Sequence, residues 1–193
     1  MRSRLALVAL SLVTSLQAAP VLGQTVGCGV PPGSERCQAW SARYNGPGTA
    51  ADIASGAAIS PDGSTLYVTG ASPDAGGSND AATVAYDAST GAQRWAARHV
   101  SAGGVAVTPS RDGERLFVLA NAAGDLRTIA YDPADGEEVW SASYDAEGLG
   151  DTGIAVDVGV EDTRVYVTGY TTVDGGLSFD YTTIAYDQRS GEE

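Results

Sequence analysis

The chain has 193 residues, 43% of them hydrophobic, with 25 Gly, only 7% aromatic residues and a formal charge of -13. That length supports one ordinary core, and the glycine content points to many turns. Eleven basic residues, all of them Arg, against 24 acidic ones argue against a nucleic-acid partner, because phosphate affinity comes from clustered cations that release counterions.

In chain order, Met1-Arg2-Ser3-Arg4 is a positive start, and Leu5 to Leu16 is an apolar run of twelve residues. Such a run is too short for a hydrocarbon core of about 30 Å but suits the apolar part of a secretory leader. Residues 1–23 are therefore expected to be a signal peptide, with cleavage after Gly23 or at a site among Gln17 to Ala19, and no stable membrane span is expected. A lipid anchor at Cys28 is the competing reading; it lacks the Leu expected at position -3. Export places Cys28 and Cys37, which flank the turn-rich stretch Gly29 to Gly33, in an oxidising compartment, where a local disulfide within segment 24–39 is expected. Secretion or a periplasmic, cell-envelope location follows from the same leader.

From residue 40 onward the chain repeats. Trp40, Trp95 and Trp140 stand 55 and then 45 residues apart, and Tyr86 to Trp95 and Tyr131 to Trp140 are both nine residues. Each unit reads as four short strands. The first lies around Ala57-Ala58-Ile59, Val105-Ala106-Val107 or Ile154-Ala155-Val156, and in the first two units it enters a Ser-x-Asp-Gly turn, Ser60 to Gly63 or Ser110 to Gly113. The second strand carries Leu66 to Thr69, Leu116 to Leu119 or Val165 to Thr168. The third carries Thr83 to Tyr86, Thr128 to Tyr131 or Thr183 to Tyr186, and its period of two sets Val84, Ile129 and Ile184 on the tyrosine face with the alanines opposite. The fourth holds the tryptophan, as in Trp40-Ser41-Ala42-Arg43-Tyr44. Such units predict an all-β propeller of four-stranded antiparallel blades, with about three blades in residues 40–193.

Ala85, Asp87, Gly91 and Trp95 recur as Ala130, Asp132, Gly136 and Trp140, and again as Ala185, Asp187 and Gly191. The first copy, Ala85-Tyr86-Asp87-Ala88-Ser89-Thr90-Gly91-Ala92-Gln93-Arg94-Trp95, resembles the tryptophan-docking motif of quinoprotein-type propellers, Ala-x-Asp-x-x-Thr-Gly-x-x-x-Trp. The second departs from it with Asp135 in the Thr position. The chain resembles the bacterial secreted PQQ-like β-propeller repeat proteins over residues 40–193, including Asp180-Tyr181-Thr182-Thr183-Ile184-Ala185-Tyr186-Asp187. This resemblance implies that each tryptophan stacks on the glycine peptide of an adjacent blade, which needs a flat indole and a residue without Cβ.

The resemblance implies a quinone-dependent enzyme only where quinone, calcium, a catalytic aspartate and a vicinal cysteine pair converge. Cys28 and Cys37 are not vicinal, and one aspartate per repeat (Asp87, Asp132, Asp187) reads as a turn residue. His99 occupies the place of Tyr44 and Tyr144 and reads as an aromatic substitute. Asp74 and Asp80 share their spacing with Asp174 and Asp180 in Gly-rich turns, which makes these four the candidate Ca²⁺ ligands against the simpler reading of solvated turns.

The expected function is a non-catalytic module for protein or glycan binding or scaffolding, without cofactor. The alternatives are a fragment of a PQQ-dependent dehydrogenase using PQQ and Ca²⁺, and an envelope assembly factor that recognises partner strands. A fourth tryptophan is expected at position 195, and three blades are too few to close a ring. The expectation is a segment of a longer protein, the alternative being strand exchange or self-association through open edges.

Overall fold

The computed structural model describes residues 39–146, 150–161 and 163–193; the leader expected at 1–23 and the Cys28 and Cys37 pair lie outside them. Eleven strands form three antiparallel sheets in meander order, and among the described residues there is no helix. Blade 1 is β1 (Ile53–Ile59), β2 (Thr65–Pro73), β3 (Asn79–Asp87) and β4 (Gln93–His99). Blade 2 is β5 (Gly103–Pro109), β6 (Leu116–Ala122), β7 (Asp125–Tyr131) and β8 (Glu138–Tyr144). Blade 3 has three strands, β9 (Asp151–Val158), β10 (Arg164–Val173) and β11 (Ser178–Asp187). The all-β, partial propeller architecture is thus present, with sheets of four, four and three strands.

The turns are built by short polar side chains. Between β1 and β2, the Asp62 carboxylate accepts from the Ser60 hydroxyl at 2.6 Å and from the Ser64 amide at 3.0 Å, while Gly63 takes a φ of +74°. The same turn recurs between β5 and β6 with Ser110, Asp112 and Gly113. Both satisfy turn amides that no ladder reaches.

Register repeats with the same fidelity. Ala85 faces Trp95 and Ala130 faces Trp140, and in both sheets the ladder then skips one residue, so that Tyr86 faces Gln93 and Tyr131 faces Glu138. That extra residue is a β-bulge, which raises local twist next to each indole. Residues 39–46, where a tryptophan-bearing strand is expected, join no sheet. A strand needs a partner edge, and the Trp40 segment lies against the face of blade 1, where the edges of β1 and β4 are not offered to it.

Two apolar layers hold the blades together. Tyr67, Ala85 and Trp95 from one face of blade 1 pack on Leu116, Val118, Ile129 and Tyr131 of blade 2. Phe117, Leu119 and Ala130 on the other face of blade 2 pack on Val165, Val167, Ile184 and Tyr186 of blade 3. The face each of the first two blades turns to the next sets an alanine, Ala85 or Ala130, among large residues such as Tyr67 and Trp95 or Phe117 and Leu119, and the facing blade meets it with branched and aromatic side chains.

Candidate functional site

The recurring motif builds one joint three times. Each of the turns after β3, β7 and β11 ends in a glycine with positive φ: Gly91 at +74°, Gly136 at +78° and Gly191 at +73°. The glycine amide donates to the backbone oxygen of the motif aspartate, Gly91 to Asp87 at 2.8 Å, Gly136 to Asp132 at 2.9 Å and Gly191 to Asp187 at 2.9 Å. A Cβ on Gly91 would fall 2.6 Å from Cε3 of Trp40, on Gly136 2.6 Å from Cε3 of Trp95, and on Gly191 2.7 Å from the Trp140 ring. Each indole N–H donates to a turn carbonyl at 2.9 Å: Trp40 to Ala88, Trp95 to Pro133 and Trp140 to Gln188. The indole lies flat where a side chain would stand, so glycine is required by both contact and backbone angle.

The motif aspartates are engaged within their own turns. Asp87 Oδ1 accepts from the Ser89 hydroxyl at 2.6 Å and from the Thr90 amide at 2.9 Å, and Oδ2 takes the Arg94 guanidinium at 2.9 Å. The Ser89 hydroxyl and then Arg94 and Thr90 hold its carboxyl well below the ordinary range. Asp132 accepts from the Ala134 amide at 2.8 Å. Asp187 accepts from the amides of Arg189 and Ser190 at 2.9 and 3.0 Å, and the Ser190 and Arg189 amides lower its pKa. Alanines 85, 130 and 185 lie on the strands beside them, the first two fully buried.

The four candidate calcium ligands do not share one environment. Asp74 accepts from the Ser78 amide at 2.9 Å, and Asp174, itself at a φ of +52°, accepts from the Ser178 hydroxyl at 3.0 Å; both close their own hairpins. Asp80 is buried and paired with Arg98 at 3.1 Å, while its other oxygen accepts from the Ser101 amide at 3.1 Å. Asp180 is exposed on β11. Among the described residues no three acidic, His or Cys side chains converge as a metal site. His99, expected as an aromatic stand-in, carries its Nδ1 3.0 Å from Oε2 of Glu138 and so bridges blades 1 and 2.

One polar constellation was not anticipated. Arg98 donates to Asp80 Oδ2 at 3.1 Å, to the Ser72 hydroxyl and carbonyl at 2.7 and 2.6 Å, and to the Tyr44 hydroxyl at 3.0 Å. Asp52 joins it: the Ser72 hydroxyl, the Gly46 amide and the nearby guanidinium all lower its pKa. Its members come from separate segments of the chain: Asp80 reads in sequence as a candidate Ca²⁺ ligand and Tyr44 as a repeat position, while Arg98, three residues after Trp95, is matched by Arg43 after Trp40. Beside it, a cavity of about 270 Å³ lies between the Trp40 segment and the Leu66, Val68, Val84 and Tyr86 face of blade 1. At the opposite end of the molecule Tyr170, Phe179 and Tyr181 form an exposed aromatic surface, Tyr170 and Phe179 meeting edge to face at 5.1 Å.

The family model of outer membrane protein assembly factor BamB matches residues 35–156 and again 79–193. Nothing among curated proteins matches the chain. Among solved structures, BamB from Moraxella catarrhalis aligns with a TM-score of 0.52 at 20% identity, over 73% of this chain and 36% of that one. Hydrazine synthase from Kuenenia stuttgartiensis aligns with a TM-score of 0.54 at 20% identity, over 67% of this chain and 37% of the other. The quinohemoprotein alcohol dehydrogenase ADHIIG from Pseudomonas putida HK5 gives a TM-score of 0.47 at 15% identity, over 67% and 24%. The chain therefore spans between about a quarter and two-fifths of these structures' lengths. At such identities the likeness is one of fold, a propeller built of PQQ-like repeats.

Proposed function

The chain belongs to the family of outer membrane protein assembly factor BamB, and on that premise we propose that it is a non-catalytic propeller module that binds or scaffolds proteins in the bacterial cell envelope. The observation that carries this reading is the state of its acids. The motif carboxylates Asp87, Asp132 and Asp187 are each held by turn amides, and Asp80 is neutralised by Arg98. Their pKa shifts, where present, run downward, toward a permanently ionised structural carboxylate and away from the raised values a general acid at neutral pH requires. What the fold leaves free are blade ends and exposed aromatic side chains, the usual material of protein recognition. The envelope location rests on the leader expected at residues 1–23 and on the outer membrane named in the family's description.

The test has two arms. The full chain, immobilised and exposed to detergent-solubilised envelope, is expected to retain a defined protein whose retention saturates and is lost with the paired change Phe179→Ser and Tyr181→Ser. Incubation with PQQ and Ca²⁺ followed by a dye-reduction assay over primary alcohols and sugars is expected to give no turnover. Quinone-dependent dye reduction would overturn the reading in favour of a dehydrogenase segment.

A further inference from the structure

The Arg98 cluster sets the residue type at position 46 and, with it, the chemistry of the preceding peptide. A Cβ on Gly46 would collide with the Ser72 hydroxyl and come within 2.9 Å of Asp52 Oδ1 and 3.1 Å of Arg98 Nη1, so glycine alone fits there. The residue before it is Asn45, which is exposed and lies outside every sheet. An asparagine followed by glycine leaves the next amide nitrogen the least hindered path to the side-chain carbonyl carbon, because no Cβ shields it. The chain's other two asparagines differ on both counts. Asn79 precedes Asp80 and Asn121 precedes Ala122, each in a paired strand, and Asn121 Oδ1 accepts from the Gly153 amide at 2.7 Å.

Asn45 stands between two anchors on one cluster. The Tyr44 hydroxyl accepts from Arg98 at 3.0 Å, and the Gly46 amide donates to Asp52 Oδ2 at 3.1 Å. Attack on Asn45 Cγ needs the Gly46 nitrogen to swing toward that carbon, a rotation that carries Gly46 away from Asp52 while Tyr44 stays in place. The nitrogen must also give up its proton, and a carboxylate beside it opposes the negative charge that then develops. The Ser72 hydroxyl and the Gly46 amide lower the pKa of Asp52, which keeps that opposing charge in place at neutral pH.

We propose that Asn45–Gly46 is a self-modification site held closed by the Arg98 cluster: when the cluster opens, Asn45 loses its side-chain nitrogen and becomes aspartate or isoaspartate. The Gly46 nitrogen, its proton taken by solvent, bonds to Asn45 Cγ; the bond from Cγ to the side-chain nitrogen breaks, and that nitrogen leaves as ammonia after taking a proton from water. Water then opens the five-membered imide at either carbonyl. Opening at one gives aspartate with the main chain unchanged, and opening at the other gives isoaspartate, whose main chain runs through Cβ and Cγ and is one carbon longer.

The two products have different consequences. The connector between blades 2 and 3 already carries an aspartate at the matching place, Asp145 after Tyr144, and its Ala146 amide still donates to Asp151 Oδ2 at 2.8 Å. Aspartate at 45 therefore leaves the anchors in reach. Isoaspartate lengthens the link between them, so Tyr44 and Gly46 no longer meet Arg98 and Asp52 together, and the segment that carries Trp40 to Gly91 is loosened irreversibly.

The test follows the full chain at mildly alkaline pH, with and without urea. Trypsin releases residues 44–94 between Arg43 and Arg94, fragmentation assigns the converted residue, and labelling by an isoaspartate-specific methyltransferase counts the longer product. In urea Asn45 is expected to convert well ahead of Asn79 and Asn121. In the native chain its conversion is expected to be slower by about tenfold or more, the factor one charge-assisted hydrogen bond supplies. D52A should bring the native rate toward the urea rate and leave the urea rate as it was. N45D should melt with the wild-type chain, whereas the isoaspartate form should melt lower and be cut faster after Arg43. Equal native and urea rates, faster conversion of Asn79 or Asn121 in urea, or an isoaspartate form as stable as N45D would each overturn the proposal. So would a folded D52A chain that converts at the wild-type rate; if circular dichroism shows D52A unfolded, Y44F, which removes only the Arg98 anchor, takes its place under the same criterion.

Discussion

Blades 1 and 3 are built from the same phrases and meet different surroundings. Residues 80–86 on β3, flanked by β2 and β4, are all buried; of the matching residues on β11, flanked among the described residues only by β10, Ile184 and Tyr186 alone are buried. Asp80 and Asp180 occupy the same register position, yet one is a buried half of an ion pair and the other an exposed side chain. Burial here belongs to the neighbouring strand and not to the residue, so a change at matched positions should act strongly in blade 1 and weakly in blade 3.

The largest effect should come from the joints. Trp95→Ala empties the layer between blades 1 and 2, losing the Tyr67 contact and the bond to Pro133, at a cost of about 3–5 kcal/mol in urea unfolding. Trp40→Ala, at the half-buried outer joint, should cost clearly less; equal costs would break the comparison.

Next comes the receiving side. Gly136→Ala adds a Cβ 2.6 Å from the Trp95 ring at a φ of +78°, and should destabilise by about 2–4 kcal/mol, whereas Gly63→Ala, with the same sign of φ and open space around it, should cost only about 1–2 kcal/mol. Similar values for the two would mean that backbone angle alone explains the glycines.

The polar cluster sharpens the contrast further. Removing Arg98 strands Asp80 in the interior, and R98A should lower unfolding free energy by about 3 kcal/mol. D180A should change it by no more than about 0.5 kcal/mol. A loss for D180A matching that for R98A would show that β11 is already covered.

The smallest effect per group is the acid response of the turns. The Ser60 hydroxyl, the Ser64 amide and the Ser64 hydroxyl hold Asp62 down at about 2, from an ordinary 3.8. Because the folded value is the lower one, its contribution is complete above about pH 4 and fades as pH falls toward about pH 2, the unfolded chain taking up the proton first. Thermal midpoints should decline over that window, and Ser60→Ala should flatten the decline; an unchanged slope would remove the hydroxyl as its cause.

Much of this was legible in one dimension. The spacing of nine from Tyr86 to Trp95 and from Tyr131 to Trp140, the alanine faces and the Ser-x-Asp-Gly turns are local patterns, and strands with turns read directly from them. His99 was legible as a stand-in for tyrosine, but its Glu138 partner lies 39 residues away in another blade. The Arg98 cluster was illegible because Asp80 reads from its Gly-rich turn as a Ca²⁺ candidate, and nothing in one dimension joins it to Tyr44, Asp52 and Ser72 until β2, β3 and β4 stand side by side.

By itself, then, the order of residues determined the repeating unit and its glycine turns, since both depend on neighbours within one hairpin, whereas the pairing of the Trp40 segment and the seating of each indole depend on contacts between blades. Only the tertiary structure decided which carboxylates are buried with a cation and which are not, because charge compensation depends on distance in space across strands far apart in the chain. Asp52 and Asp151 make the point together: each accepts from the amide two residues after a tyrosine, Gly46 or Ala146, and among the described residues a guanidinium stands beside only the first.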